Sequence, residues 1–301
     1  PERMDRVSSW GYAMGYIGGS TIPFLISIVI LVMMGMDNPL AFRLVIVLTS
    51  VWWLVFSIPA LKNVKQLHYI EPRKNLVRST FSNLWRTAKD IFSHKGIFLF
   101  LVAYFFYIDG VNTVISISTS YGSKLGLDTV SMILALLVTQ IVAVPFSILF
   151  GRLAGKLGSV NILCGAIAVY FCICVVGFFM GFNIEQHPGD DSALSLSLTL
   201  FWCMAFLVGT VQGGIQAISR SYFGKLVPAE RSNEYFGFFD IFGKFAAVIG
   251  PLLVAFFTQL TGRDSIGVIS LALLFLIGFC ILFTGRKKLF SEQASRPESG
   301  E

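Results

Sequence analysis

Eight stretches of this 301-residue chain run for roughly twenty residues or more with almost no charge: 9–34, 42–61, 97–118, 130–149, 160–182, 194–215, 236–260 and 266–284. The hydrocarbon of a bilayer is about 30 Å thick and a helix rises about 1.5 Å per residue, so about 20 apolar residues cross it. Backbone amides find no water there, so a crossing segment must be a helix or a strand of a closed barrel. These runs are continuous and about twice the length of a barrel strand, which leaves helices. Composition agrees, with 55% hydrophobic and only 13% charged residues, about half the charged fraction of a soluble domain. The fold class that follows is an all-α polytopic membrane protein.

The net charge of +6 matters less than where the cations lie. Nineteen of the 23 Lys and Arg fall in the N-terminal stub, the 62–95 connection, 151–159, 220–234 and the C-terminal tail. The opposite connections hold only Arg43, Lys124 and Arg263, and Lys244 lies inside a span. The positive-inside rule then places both ends of the chain in the cytoplasm. The implied partner is the lipid bilayer, not nucleic acid. Cys164, Cys172, Cys174, Cys203 and Cys280 sit in apolar runs without zinc-ligand spacing. They read as small packing residues, and no metal or cofactor is expected. No signal-peptide pattern opens the chain.

The 62–95 connection divides the spans two and six. Pro72 breaks it, and Val77, Phe81, Leu84, Trp85, Ala88, Ile91 and Phe92 then recur at three- and four-residue intervals, with Arg78, Arg86 and Lys89 elsewhere on the wheel. This predicts a basic amphipathic helix at the inner membrane surface. The polar residues 289–301 are expected to form a disordered cytoplasmic tail.

Two regions match each other. Pro1-Glu2-Arg3 and Pro228-Ala229-Glu230-Arg231 each open a basic connection, and a glycine, Gly15 or Gly243, follows thirteen residues after the Glu inside the next span. Parallel halves related by an axis along the membrane normal would produce this. Both glycines then lie in the fifth helix of a six-helix half. Residues 1–61 carry the last two helices of an N-terminal half, 62–95 the cytoplasmic linker, and 96–288 a complete C-terminal half. The expectation is eight spans of a total of twelve.

At Gly151-Arg152-Leu153-Ala154-Gly155-Lys156-Leu157-Gly158 the chain resembles the major facilitator superfamily, whose cytoplasmic loop reads G-x-L-A-D-R-x-G-R-R. It departs at Gly155, where an Asp is usual, and at Ser159 and Val160, where basic residues are usual. The resemblance narrows to the vacuole-effluxer branch, the autophagy-related protein 22-like proteins and the Unknown Major Facilitator-1 family. The matching segments are 6–19, 107–113, 212–223 and 236–244. What the resemblance implies is a major-facilitator helical bundle and a secondary transporter working by alternating access. For vacuolar members it implies amino-acid export. The location implied is the plasma membrane, or the vacuolar membrane in a fungus, and a monomer is expected.

Residues that could carry transport are the polar ones inside spans. Asp109 lies near mid-bilayer, where a charge costs about 2.5–3.5 kcal/mol on insertion scales. Asn112 and Thr113 share its face. Gln212, Gln216 and Ser219 form one stripe with Arg220 beside it, and Gly213 and Gly214 are expected to interrupt that helix. Gln140 sits mid-span. Asp109, Asn112, Thr113, Gln140, Gln212, Gln216 and Lys244 are therefore the candidate solute-binding residues, lining one common hollow. Asp240 and Lys244, four apart in the order favourable for an ion pair, are candidates for coupling or gating with Asp109, Arg220, Arg152 and Lys156. Proton coupling would run through Asp109 or Asp240. Gly11, Gly15, Gly18 and Gly19 are expected to form a close-packing face, and Trp52, Trp53 and Tyr121 interfacial belts.

No zinc-protease, nucleophile-elbow or intramembrane-aspartate pattern is present in the sequence, so no enzyme is expected. The alternative reading is a non-transporting membrane sensor or a lipid scramblase on the same fold.

Overall fold

A computed structural model describes residues 3–64, 76–228 and 231–294. Pro72, Glu2, Glu230 and residues 295–301 of the expected tail lie outside the described residues. Among the described residues every regular element is helical. Eight helical segments are long and apolar enough to cross a membrane. The first span is built of α1 (Met4–Met14), a π-helical segment (Gly15–Thr21) and α2 (Ile22–Met34). The second is α3 (Pro39–Asn63), followed by the amphipathic α4 (Leu76–Ser93). The next four are α5 (Lys95–Lys124), α6 (Thr129–Leu157), α7 (Ser159–Gln186) and α8 (Asp191–Leu226). The seventh span is split into α9 (Ser232–Phe245) and α10 (Ile249–Thr261), the eighth into α11 (Asp264–Ser270) and α12 (Ala272–Ala294).

The helices outrun the apolar stretches. The apolar run ends near residue 215, yet α8 continues to Leu226, because a helix needs only its own backbone hydrogen bonds and Ser219 and Ser221 find partners on neighbouring helices. Residues 289–294, expected in the tail, continue α12, and Leu289 is fully buried. At the less basic end the turns are short and capped. Asn38, Asp128 and Asp190 each accept a backbone N–H at 2.9–3.0 Å from the first turn of the helix that follows, which satisfies an otherwise orphaned donor. Gly126 makes one of these turns possible with a φ of 81°, a left-handed conformation that side chains resist.

Small residues set the packing. Gly209 and Gly213 stand one turn apart on α8, and α6 lies directly on them. A Cβ at Gly209 would come within 2.9 Å of the Thr139 carbonyl oxygen, and one at Gly213 or Gly214 would strike the Ser147 hydroxyl or the Phe150 ring. Between helices in lipid, where no hydrophobic force separates them from their solvent, such close approach supplies the attraction. Thr139 adds a hydroxyl hydrogen bond to the Ala205 carbonyl at 3.0 Å. Gly213 and Gly214 are thus contact points in an unbroken helix and do not interrupt it.

The central helix is α5, which packs along α12. Gly278 brings α12 to within 3.2 Å of the Tyr107 backbone nitrogen, measured from a built Cβ. By contrast, α3 has only Ala41 buried and turns Phe42, Leu44, Trp53, Leu54 and Phe56 outward, as a helix facing lipid does.

Candidate functional site

The first span meets α8 along a stripe of hydroxyls. Ser8, Tyr12, Tyr16 and Ser20 recur every four residues, which puts them on one helical face. Gly11, Gly15 and Gly19 precede the last three and remove the bulk that would otherwise fill the space beside them. Together with Gln216 and Arg220 of α8 they line an open cavity of about 600 Å³. A Cβ built at Gly11, Gly15, Gly18 or Gly19 would meet nothing within 4 Å. The four glycines therefore do not form the expected packing face; three of them are wall of the cavity.

The π-helical segment belongs to this geometry. A π turn widens the helix and releases carbonyls from their usual partners, and such turns gather at functional sites. Here the Gly18 carbonyl accepts the indole N–H of Trp52 at 2.8 Å. Trp52 is therefore an inner strut of the first two spans and not part of an interfacial belt. Tyr121 is likewise buried, 6% exposed, and donates to the Gly177 carbonyl at 2.9 Å.

Both ends of the stripe are tied down. Ser8 donates to the Ala217 carbonyl at 2.8 Å, and Ser20 to the Gln140 side-chain oxygen at 2.9 Å. Between them, Tyr16 interacts with Gln212. Gln140 and Gln212 also line a small second void of about 50 Å³ between α5, α6 and α8. The Arg220 guanidinium lies over the Phe236 ring, 5.3 Å from its centroid. Among the described residues no carboxylate forms an ion pair with Arg220. Asp240 is exposed and acts electrostatically on Tyr12 together with Arg220.

Asp109 is elsewhere. It is fully buried, and both carboxylate oxygens accept the Gly250 backbone N–H at 3.0 Å, while Thr113 donates to one of them at 3.4 Å. Gly250 is in the first turn of α10, directly after the break in the seventh span. Asp109 is thus an N-terminal cap supplied by another helix, where the helix dipole also favours a negative charge. Glu185 does the same for α11, accepting the Ser265 N–H at 2.9 Å and its hydroxyl at 2.6 Å.

A second buried cluster lies at the basic end of the bundle. Asp5 of α1 is 3% exposed. It accepts from Ser221 at 2.6 Å, from Ser159 at 3.2 Å and from Lys225 at 2.5 Å, which joins α1 to α7 and α8. Gly151 makes room for this. A Cβ there would sit 2.7 Å from that of Ser9 and 3.1 Å from the Asp5 carbonyl oxygen. The carboxylate missing at Gly155 has its counterpart in Asp5.

With this geometry in view, comparison with known proteins is decisive. The family model described as "Vacuole effluxer Atg22 like" matches residues 2–288. The chain belongs to this family. The Atg22-like chain is 46% identical over 286 residues to the "Uncharacterized MFS-type transporter YxiO" of Bacillus subtilis (strain 168), covering 93% of this chain and 63% of that protein. It is 25% identical over 298 residues to "Autophagy-related protein 22" of Cryptococcus neoformans var. neoformans serotype D (strain JEC21), covering 92% and 50%. It is also 27% identical over 286 residues to "Autophagy-related protein 22-2" of Aspergillus clavatus, covering 89% and 46%. The chain therefore spans about half to two thirds of the length of these relatives. No solved structure matches it. Family and helices together make it an integral, multi-pass, all-α membrane protein of the major-facilitator type.

Of the residues singled out from the Atg22-like sequence, the structure brings Gln216 and Arg220 into the large cavity and Gln140 and Gln212 into the adjoining void. Asp109, Asn112, Thr113 and Lys244 are not in the wall of either. Asp240 and Lys244 are both exposed, and no ion pair joins them among the described residues. Ser219 is turned away from the cavity, where it shares a 2.6 Å hydrogen bond with Tyr107. Arg152 and Lys156 are exposed on the last turns of α6. Ser8, Tyr12, Tyr16 and Ser20 went unnoticed because each is a modest polar residue. The legible signal was the repeat Gly11-Tyr12, Gly15-Tyr16, Gly19-Ser20 at the helical spacing of four. Asp5 gave no signal, since an acid among Arg3 and Arg6 reads as a solvated stub.

Proposed function

We propose that this chain forms part of a secondary transporter that moves a small polar solute, amino acids first among them, by alternating access through the cavity between the first span and α8. One observation carries the reading. A cavity of about 600 Å³ inside an apolar bundle is lined by hydroxyls, an amide and a guanidinium that no carboxylate neutralises among the described residues. Its volume is within the range of about 300–1,000 Å³ typical of small-molecule sites. Gln216 offers both donor and acceptor to an amino or hydroxyl group, and Arg220 suits a carboxylate. Names of relatives with transporter or effluxer in them support the same reading.

Asp240 is the favoured acid for proton coupling, because it is exposed near Arg220 and Tyr12, whereas Asp109 is held as a helix cap. The cation distribution supports a cytoplasmic position for both ends of the chain. The chain is read as no enzyme. Its membrane is the plasma membrane, or a vacuolar membrane in a fungal host, and its working state is a monomer.

The test is uptake of radiolabelled amino acids by full-length protein in proteoliposomes, with and without a pH gradient. Uptake that Arg220→Ala and Gln216→Ala reduce at least about tenfold supports the reading, since each removes a polar contact worth at least about 1.4 kcal/mol. Absence of any amino-acid flux from tightly reconstituted protein that scrambles lipid would replace it with the scramblase alternative.

A further inference from the structure

Helix α4 presents three faces. Thr87 and Ile91 are 1% and 3% exposed and lie against the bundle. Lys89 and Arg86 are exposed. Between these, Phe81, Trp85 and Phe92 fall on one stripe at i, i+4 and i+11, and they are 69%, 77% and 61% exposed. Only His94 separates α4 from the membrane-spanning α5, and the Phe92 ring packs on Phe98 of α5 with centroids 4.9 Å apart. The aromatic stripe therefore runs on into the side of a span. Lys89 and Lys95, both exposed, border it. Aromatic rings continuous with a span and flanked by cations fit one occupant, the headgroup region of an anionic lipid surface.

The opposite edge of α4 grips the start of α9. Asp90 Oδ2 accepts both from the Arg231 guanidinium and from the Tyr235 hydroxyl, each at 2.6 Å. Glu234 accepts from Thr87 at 2.9 Å and from the same guanidinium at 2.9 and 3.1 Å. Tyr235 is fully buried. The next residue, Phe236, is the ring beneath Arg220. One turn of α9 thus holds both the grip on α4 and the support of the cavity's guanidinium.

We propose that α4 is a lipid-contact strap: its seating on an anionic bilayer surface fixes the first turn of α9 through Thr87 and Asp90, and with it the Phe236 platform of Arg220. The proposal goes beyond transport and is tested without a transport assay. Full-length protein is placed in nanodiscs of phosphatidylcholine alone or with phosphatidylglycerol, and backbone hydrogen exchange is followed. Exchange at 84–93 and at 232–238 slows together, about tenfold, in the anionic discs. Lys89→Gln with Lys95→Gln, which leaves the aromatic stripe and the grip intact, erases the lipid dependence at both segments. Thr87→Ala with Asp90→Asn keeps the dependence at 84–93 and removes it at 232–238. Equal exchange in the two kinds of disc overturns the proposal. So does a response at 84–93 that does not reach 232–238 in the unaltered protein, or coupling that survives the loss of Thr87 and Asp90.

Discussion

The carboxylate of Asp109 receives the backbone N–H of Gly250, each oxygen at 3.0 Å, and so closes the upper end of a helix that belongs to another span. A charge near mid-membrane looks from sequence like a solute or proton site. Its neighbours decide otherwise: the break at 246–248 creates free N–H groups that lipid cannot satisfy, and Asp109 satisfies one of them. Asp109→Asn, which keeps an acceptor, is expected to preserve stability to within about 1 kcal/mol, and Asp109→Ala to lose about 1–2 kcal/mol. Thermal unfolding of full-length protein in detergent measures both. Equal loss for the two variants would show that charge, and not the cap, is what matters.

The Asp5–Lys225 pair predicts strong non-additivity. Removing one member of a buried pair leaves an uncompensated charge and costs about 3–5 kcal/mol. Asp5→Asn and Lys225→Met are each expected to destabilise by that order, and the double variant by much less than their sum. A double-mutant cycle on unfolding midpoints reads the coupling.

Glycines of the two classes are expected to respond oppositely. Gly213→Ala drives a methyl into Ser147 and to 2.7 Å from the Tyr16 ring, an overpacking that costs about 1–3 kcal/mol. Gly15→Ala meets nothing within 4 Å, so stability holds or rises slightly while the cavity narrows. Unfolding midpoints of the two variants, compared side by side, check this.

The α4–α9 junction has a defined pH window. The Tyr235 hydroxyl first, then Arg231 and His94, hold the Asp90 carboxyl below its ordinary 3.8, against the opposing effect of burial. A carboxylate depressed in the folded state lends stability above its ordinary value and loses it as pH falls through the depressed one. The junction is therefore expected to be constant through neutral and mildly acid pH and to loosen only below about pH 4. Hydrogen exchange at 232–238, corrected for intrinsic rates, follows it.

The spans, the amphipathic α4 and the family were legible because each is written in a run or a period: eight apolar stretches, a stripe through Phe81, Trp85 and Phe92, and segments such as 212–223. Trans-acting contacts were not. Nothing in the local pattern around Asp109 announces Gly250, 141 residues away, and nothing around Asp5 announces Lys225. Such pairs depend on which helices become neighbours, and that is set by small residues such as Gly151 and Gly209 whose contacts lie on other helices. The glycines of the first span misled for the same reason: a small residue permits either a close neighbour or an empty space, and only the fold says which.

The central claim is that the solute occupies the cavity beneath Tyr12, Tyr16, Gln216 and Arg220. The most direct measurement is thiol labelling of Tyr16→Cys in a cysteine-free background of the full-length protein, with a charged methanethiosulfonate reagent, in the presence and absence of an equimolar mixture of the protein amino acids. The account predicts labelling that the mixture slows, and that Arg220→Ala makes insensitive to it. Labelling at the same rate with and without the mixture, in protein that transports one of its components, would contradict it.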